Sequence, residues 1–118
     1  MKLAHITIQS ADLEASVGFY SKCAGLKIVR DMRDRPSNRI VFMGDDEEGT
    51  LVELIDAEKP YKGSGVSMGF EVEDVEACRQ WFVSEGYEPT VIRWLGEGRG
   101  FFFVKDPSGF SVQYITKQ

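Results

Sequence analysis

Hydrophobic and polar positions alternate along residues 2–9, the first element of the chain. Ile6 and Ile8 fall on one face, whereas His5 and Thr7 fall on the other. A period of two is typical of a β-strand. The pattern predicts a strand whose isoleucine face is covered and whose His5 points the opposite way.

A helical period follows this strand. Leu13, Val17 and Tyr20 are spaced by four and three residues and form one apolar stripe. Asp12 is a suitable N-cap, and Gly25 suits the C-terminal end. We therefore expect a helix that packs on the isoleucine face of the first strand.

Three further strands are predicted before residue 57, with polar turns at 34–38 and 45–49 between them. Their expected limits are Leu26 to Arg33, Arg39 to Gly44 and Thr50 to Asp56. Residues 58–65 are polar and are broken by Pro and Gly, which is typical of a linker. The first part of the chain thus predicts one βαβββ unit.

The chain then repeats this unit. A shift of 62 positions carries His5 onto Ser67 and Asp12 onto Asp74, and a shift of 60 carries Glu53 onto Gln113. A repeat at a fixed period reveals the architecture of a fold. The second copy predicts a helix from Asp74 to Glu85 and strands at Val66 to Val72, near Glu88 to Arg93, Arg99 to Lys105 and Phe110 to Thr116.

We therefore predict an α+β fold of two tandem βαβββ modules that form one domain over residues 1–118. Module one spans 1–57, the linker 58–65 and module two 66–118. The glycine-rich segment from Trp94 to Gly100 lacks the strand-to-helix context of a phosphate-binding loop, so it is interpreted as a mobile rim.

Composition narrows the function classes. The net charge of −5 and the pI near 4.9 argue against nucleic acid, which requires a basic surface. The longest apolar runs, such as 100–104, are much shorter than a membrane span, and the chain opens without a secretory leader. We expect a cytoplasmic protein in which Cys23 and Cys78 are buried free thiols.

Several motifs together resemble the vicinal oxygen chelate superfamily, which includes lactoylglutathione lyases (glyoxalases), bleomycin resistance proteins and extradiol dioxygenases. They are the tandem βαβββ unit, Phe19-Tyr20 shortly before Gly25-Leu26, and the run from Asp106 to Phe110 before the last strand. The resemblance covers nearly the whole chain. It implies a cupped mixed sheet of the glyoxalase type.

The resemblance also implies where a divalent metal would bind. In metal-using members, the first and last strands of each module offer one ligand each. These positions correspond to His5 and Glu53 in module one, and to Ser67 and Gln113 in module two. His5, Glu53 and Gln113 are the expected ligands, with Glu53 also as the catalytic proton acceptor. Serine is a poor ligand for a divalent ion.

Two functions from different classes remain open. An imidazole, a carboxylate and an amide oxygen suit Ni, Zn, Mn, Co or Fe, which favours a metal-dependent lyase or isomerase acting on a small vicinal-oxygen substrate. Ser67 favours a metal-free protein of the bleomycin-resistance type that sequesters a small molecule. A dioxygenase is less favoured, because that chemistry uses two histidines and the chain has one.

The remaining expectations concern the substrate and the assembly. Alternation places Thr7 in the lining of the cup, and Ser67, Glu71 and Arg99 are further candidates for binding substrate. Arg99 or Arg93 would bind a substrate carboxylate. The resemblance implies a homodimer, in which the cup closes either within one chain or between module one of one subunit and module two of the other.

Overall fold

The computed structural model describes residues 1–117. The chain divides into two compact units, Met1–Lys62 and Gly63–Gln118, and the boundary falls within the predicted linker. Each unit is a four-stranded mixed sheet with one helix, so the chain has the expected α+β fold of two βαβββ units. Neither helix in the described part of the chain is long and apolar enough to cross a bilayer.

The first unit contains the predicted elements, with ends that differ by at most three residues. They are β1 (His5–Ser10), α1 (Leu13–Ala24), β2 (Lys27–Met32), β3 (Ile40–Gly44) and β4 (Leu51–Asp56). The strand order is β1-β4-β3-β2. β1 and β4 are parallel, whereas the other two pairs are antiparallel.

Helix α1 is limited by the two residues that the sequence indicated. The Asp12 carboxylate accepts a hydrogen bond from the Ala15 backbone N–H at 3.1 Å, and Gly25 has a φ of 65°, which glycine adopts without strain. Leu13, Val17 and Tyr20 are buried. The helix therefore supplies one side of the core of this unit.

The predicted covering of the isoleucine face is correct only for one half of β1. Ile8 is 3% exposed, but Ile6 is 40% exposed. β1 is an edge strand, and α1 packs on β3 and β4. The start of β1 consequently lies beyond the helix.

The second unit follows the same order. Its elements are β5 (Ser67–Val72), α2 (Val75–Ser84), β6 (Arg93–Gly96), β7 (Arg99–Lys105) and β8 (Ser111–Thr116), with the strand order β5-β8-β7-β6. Its core is aromatic. The Phe82 and Tyr114 ring centroids are 4.8 Å apart, and those of Phe102 and Tyr114 are 5.4 Å apart.

Two predictions in this unit were wrong, those for the strand near 88–93 and for the burial of Cys78. The strand expected near 88–93 begins only at Arg93, because the preceding segment contains Pro89 and contacts β7 mainly through Thr90, whose N–H donates to the Phe103 carbonyl. The segment interpreted as a mobile rim contains a tight β6–β7 hairpin whose turn residues, Glu97 and Gly98, have φ values of 56° and 74°, and its mobility stays a prediction. Cys78 is half-buried, whereas Cys23 is buried as expected.

Candidate functional site

In the first unit, the pairing of β1 with β4 brings the predicted ligands to one face of the sheet. Thr7 pairs directly with Glu53, and Ile8 pairs with Leu54. The second pair is buried, at 3% and 0% exposure. Because side chains alternate between faces, His5, Thr7 and Glu53 project from the face opposite the core.

The side chains of these three residues meet. His5 Nε2 lies 3.5 Å from Glu53 Oε1, and the Thr7 hydroxyl donates a hydrogen bond of 2.5 Å to the same oxygen. The Glu53 side chain is 13% exposed and that of His5 is 41% exposed. Solvent can therefore reach the imidazole, while the carboxylate is held within the sheet surface.

Two aromatic and cationic contacts, which the sequence did not predict, extend this face. The His5 ring packs edge-on against Phe42, with 5.4 Å between ring centroids. The Arg30 guanidinium lies on the same ring, 4.1 Å from its centroid. Arg30 pairs with Phe42 only because a β-bulge shifts the register between Ile28 and Arg30. The residue pattern did not predict this bulge.

The second unit places Gln113 where the first unit has Glu53. Gly69 and Gln113 are a directly paired couple, equivalent to Thr7 and Glu53. A Cβ atom at position 69 would lie 3.1 Å from Gln113 Oε1. The Gln113 amide oxygen therefore occupies the space that a side chain at position 69 would take.

The other predicted substrate-binding residues lie at separate places in the second unit. Ser67 begins β5 opposite Ser111, and Glu71 pairs with Ile115 near the other end of the same strand. Both residues are exposed. Arg99 begins β7 opposite Gly96 in the hairpin. Their roles in binding, and that of Thr7, stay predictions.

The first unit's pair fits the metal that the fold family implies. Two atoms that each ligate one ion at about 2.1 Å lie about 3 to 3.5 Å apart, and the 3.5 Å between His5 Nε2 and Glu53 Oε1 meets this requirement. The hydrogen bond from Thr7 orients the carboxylate, as outer-shell donors do in metal sites. Within residues 1–117, no three His, Cys, Asp or Glu side chains form a metal-binding group, so further ligands would be neutral oxygens or water.

A cluster of ion pairs lies at another place in the first unit. Arg33 donates from Nε and Nη2 to Asp31 at 2.9 and 2.6 Å, and these bonds lower the pKa of Asp31 to about 2 and raise that of Arg33. Arg39 connects Glu14 and Asp56, and these hydrogen bonds raise its pKa. The cluster joins α1 to two strands, β2 and β4.

Comparison with known proteins agrees with this architecture. The sequence profile of the Glyoxalase/Bleomycin resistance protein/Dioxygenase superfamily matches residues 2–114. A lactoylglutathione lyase of Neisseria meningitidis is 30% identical over 131 aligned residues, which cover 100% of this chain and 92% of the relative.

Solved structures give the same result. Glyoxalase I of Leishmania major, described as trypanothione-dependent, superposes with a TM-score of 0.80 at 26% identity, covering 98% of this chain and 86% of the other. A glyoxalase I variant of Zea mays superposes with a TM-score of 0.84 at 25% identity, covering 98% and 45%. The chain therefore belongs to the glyoxalase/bleomycin resistance protein/dioxygenase superfamily.

Proposed function

We propose that this protein is a metal-dependent lyase or isomerase that resembles lactoylglutathione lyase and acts on a small vicinal-oxygen substrate. The observation that carries the proposal is the pair of His5 Nε2 and Glu53 Oε1, 3.5 Å apart on one face of the first unit. The Neisseria meningitidis relative, which is named a lactoylglutathione lyase, supports the reaction class.

His5 and Glu53 are the proposed protein ligands from the first unit, and Gln113 is the proposed third. A set of one imidazole, one carboxylate and one amide oxygen favours Ni, Zn, Mn, Co or Fe. When bound, such an ion polarises a substrate carbonyl as a Lewis acid. The imidazole, which packs edge-on against Phe42, needs little reorganisation to act as a ligand.

Glu53 is also the proposed proton acceptor. Its contacts with His5 and Thr7 both fall on Oε1, which leaves Oε2 to take a proton from the carbon beside the substrate carbonyl. A general base must lie within hydrogen-bond reach of that proton. Gln113 has no basic oxygen, so proton removal and return are both assigned to Glu53.

The experiment is a lyase assay with methylglyoxal and glutathione, with each of the five metals added in turn. We expect lactoylglutathione to form with at least one metal, and Glu53→Gln to lower kcat by about 100-fold or more. The matched control is Glu48→Gln, in an exposed turn of the same unit. A wild type that is inactive with all five metals, or a Glu53→Gln variant as active as the wild type, would contradict the proposal.

A metal-free small-molecule binding protein is the second candidate. It is favoured by Ser67, which stands at a ligand position of the second unit and is a poor ligand for a divalent ion. The two candidates separate on His5→Ala. That substitution should abolish the lyase reaction, but it should leave binding of a sequestered compound unchanged if no metal takes part.

We further propose that the protein is a homodimer, as the family suggests. Sedimentation equilibrium at micromolar concentration tests this directly. We expect a mass near twice the chain's 13.3 kDa. A monomer mass throughout the concentration series would contradict the dimer without affecting the assignment of Glu53.

A further inference from the structure

A cavity of about 480 Å³ opens on the second unit beside Ser67, and the chemical class of ligand that it takes has not been assigned. Ser67, Thr90, Phe103, Lys105 and Ser111 line it. Phe103 pairs with Gln113, and Lys105 pairs with Ser111, across β7 and β8. All these paired side chains share one face of the sheet, so the cavity lies beside Gln113.

The equivalent place in the first unit is filled. There the ring of His5 packs against Phe42, and Leu51 covers Gly44 so closely that a Cβ atom at position 44 would lie 2.6 Å from Leu51 Cδ2. The second unit replaces the two large side chains by serines and the glycine by lysine. The replacements, taken from the repeat and the strand registers, are His5 by Ser67, Leu51 by Ser111 and Gly44 by Lys105.

The second unit therefore has the Lys105 ammonium and the hydroxyls of Ser67 and Ser111 where the first unit has an apolar surface and the proposed metal ligand His5. Lys105 Nζ donates to Ser111 Oγ at 2.7 Å, which directs the ammonium along the row of serines and not away from the sheet. An ammonium has three donors, so two remain. No carboxylate within residues 1–117 forms an ion pair with Lys105.

We propose that this cavity binds the carboxylate of a small molecule with an apolar body. Lys105 pairs with the carboxylate, the Ser111 and Ser67 hydroxyls donate to its oxygens, and the body of the ligand packs on the half-buried Phe103 ring. The proposal rests on the second unit alone and requires neither the metal nor the lyase reaction.

The charge of the cavity selects a carboxylate over a phosphate monoester. Among the cavity's lining residues only Lys105 is charged, so one positive charge faces the ligand. A carboxylate carries one negative charge, whereas a phosphate monoester carries nearly two at neutral pH. No second cation lines the cavity to balance the extra charge.

The test uses benzoate as the probe and its neutral isostere benzamide as the comparison. Binding of each compound is measured from the backbone amide chemical shifts of the full chain. We expect benzoate to bind with a Kd on the order of 1 mM and to shift the amides of Ser67, Phe103 and Ser111. Lys105→Met should weaken benzoate binding about tenfold, and benzamide should bind about tenfold more weakly than benzoate. The matched control is Lys27→Met, an exposed strand lysine of the first unit, which should bind benzoate as the wild type does.

A second variant, Ser111→Leu, restores the first unit's residue and should fill the cavity and abolish binding. Dispersed spectra of the variants confirm that they fold. Absence of benzoate binding to the wild type, unchanged binding in Lys105→Met, or shifts confined to other residues would overturn the proposal. Tighter binding of phenyl phosphate than of benzoate would overturn the assignment to carboxylates.

Discussion

At the scale of single residues, the two units differ most at the position of the Glu53 carboxylate. Glu53 and Gln113 occupy equivalent positions, but their partners differ. The Thr7 hydroxyl donates to Glu53, whereas Gln113 lies over Gly69, which has no side chain. The first unit therefore orients a carboxylate, and the second makes space for an amide.

Thr7→Val tests this orientation. Valine keeps the branched shape that suits a strand but loses the hydroxyl that holds Glu53 Oε1. Because outer-shell donors typically contribute 10- to 100-fold to metal affinity, we expect metal to bind at least about tenfold more weakly. Isothermal titration with Zn or Ni measures this without an activity assay.

Thr7→Ser is the control, since it retains the hydroxyl and should keep most of the affinity. Equal affinity in Thr7→Val and the wild type would show that the carboxylate does not need Thr7.

The sequence could predict which residues share these positions, but not what they touch. Alternation predicted that His5 points away from the isoleucines, and the family resemblance implied that the strands of His5 and Glu53 lie side by side, which the strand register confirms. The contact from Thr7, the packing of Phe42 and the place of Arg30 depend on rotamers and on a bulge. A one-residue bulge reverses the face on which the following side chains lie, and its position is not written in the hydrophobic pattern.

At the scale of elements, ion pairs fix the first helix to the strands. Glu14 on α1 accepts from Arg33 and Arg39, each at 2.7 Å. Arg33 also holds Asp31 on β2 through two bonds, and Arg39 holds Asp56 on β4. The cluster therefore adds polar contacts between α1, β2 and β4 to the apolar packing of the helix.

Asp31→Asn should destabilise the protein in a pH-dependent way. The folded pKa of Asp31, about 2, lies below the ordinary value of 3.8, so its stabilisation is present above pH 3.8 and is lost as the pH falls toward 2. The side chain is 41% exposed, so screening limits the loss in the free energy of unfolding to about 0.5 kcal/mol at neutral pH.

Urea unfolding of both proteins from neutral pH down to about pH 3 measures the difference. We expect the gap between them to narrow with falling pH. Asp34→Asn, in the turn after β2, is the control and should show no gap. A gap of constant size across the pH range would contradict the role assigned to the Asp31–Arg33 pair.

Elements with a clear hydrophobic pattern or a capping residue were predicted well, whereas β6, which has neither, was not. The capped helix α1 and the alternating strand β7 begin and end within one residue of expectation. β6 has only four residues, all exposed, so no buried face imposes an alternation on its sequence. Its position depends instead on the two-residue turn at Glu97 and Gly98, which lies in the segment that was interpreted as a mobile rim.

At the scale of the whole molecule, the βαβββ unit occurs twice, with different side chains at equivalent positions. Both units have the same strand order and the same parallel pair between first and last strand. The first carries a histidine and a glutamate at the proposed metal-ligand positions, and the second carries a serine and a glutamine at the equivalent positions. Family membership was predictable because the repeat and the final turn are sequence features, whereas the substrate depends on side-chain contacts that vary within one fold.

Metal content tests the central claim most directly. The protein should be purified without chelator and without a nickel affinity step, and compared with His5→Ala and Glu53→Ala. We expect the wild type to carry close to one equivalent of Ni, Zn, Mn, Co or Fe per chain, and both variants to lose it, because each removes one of the two paired ligands. A wild type that takes up none of these ions even after incubation with them, or a metal that persists in both variants, would contradict the claim.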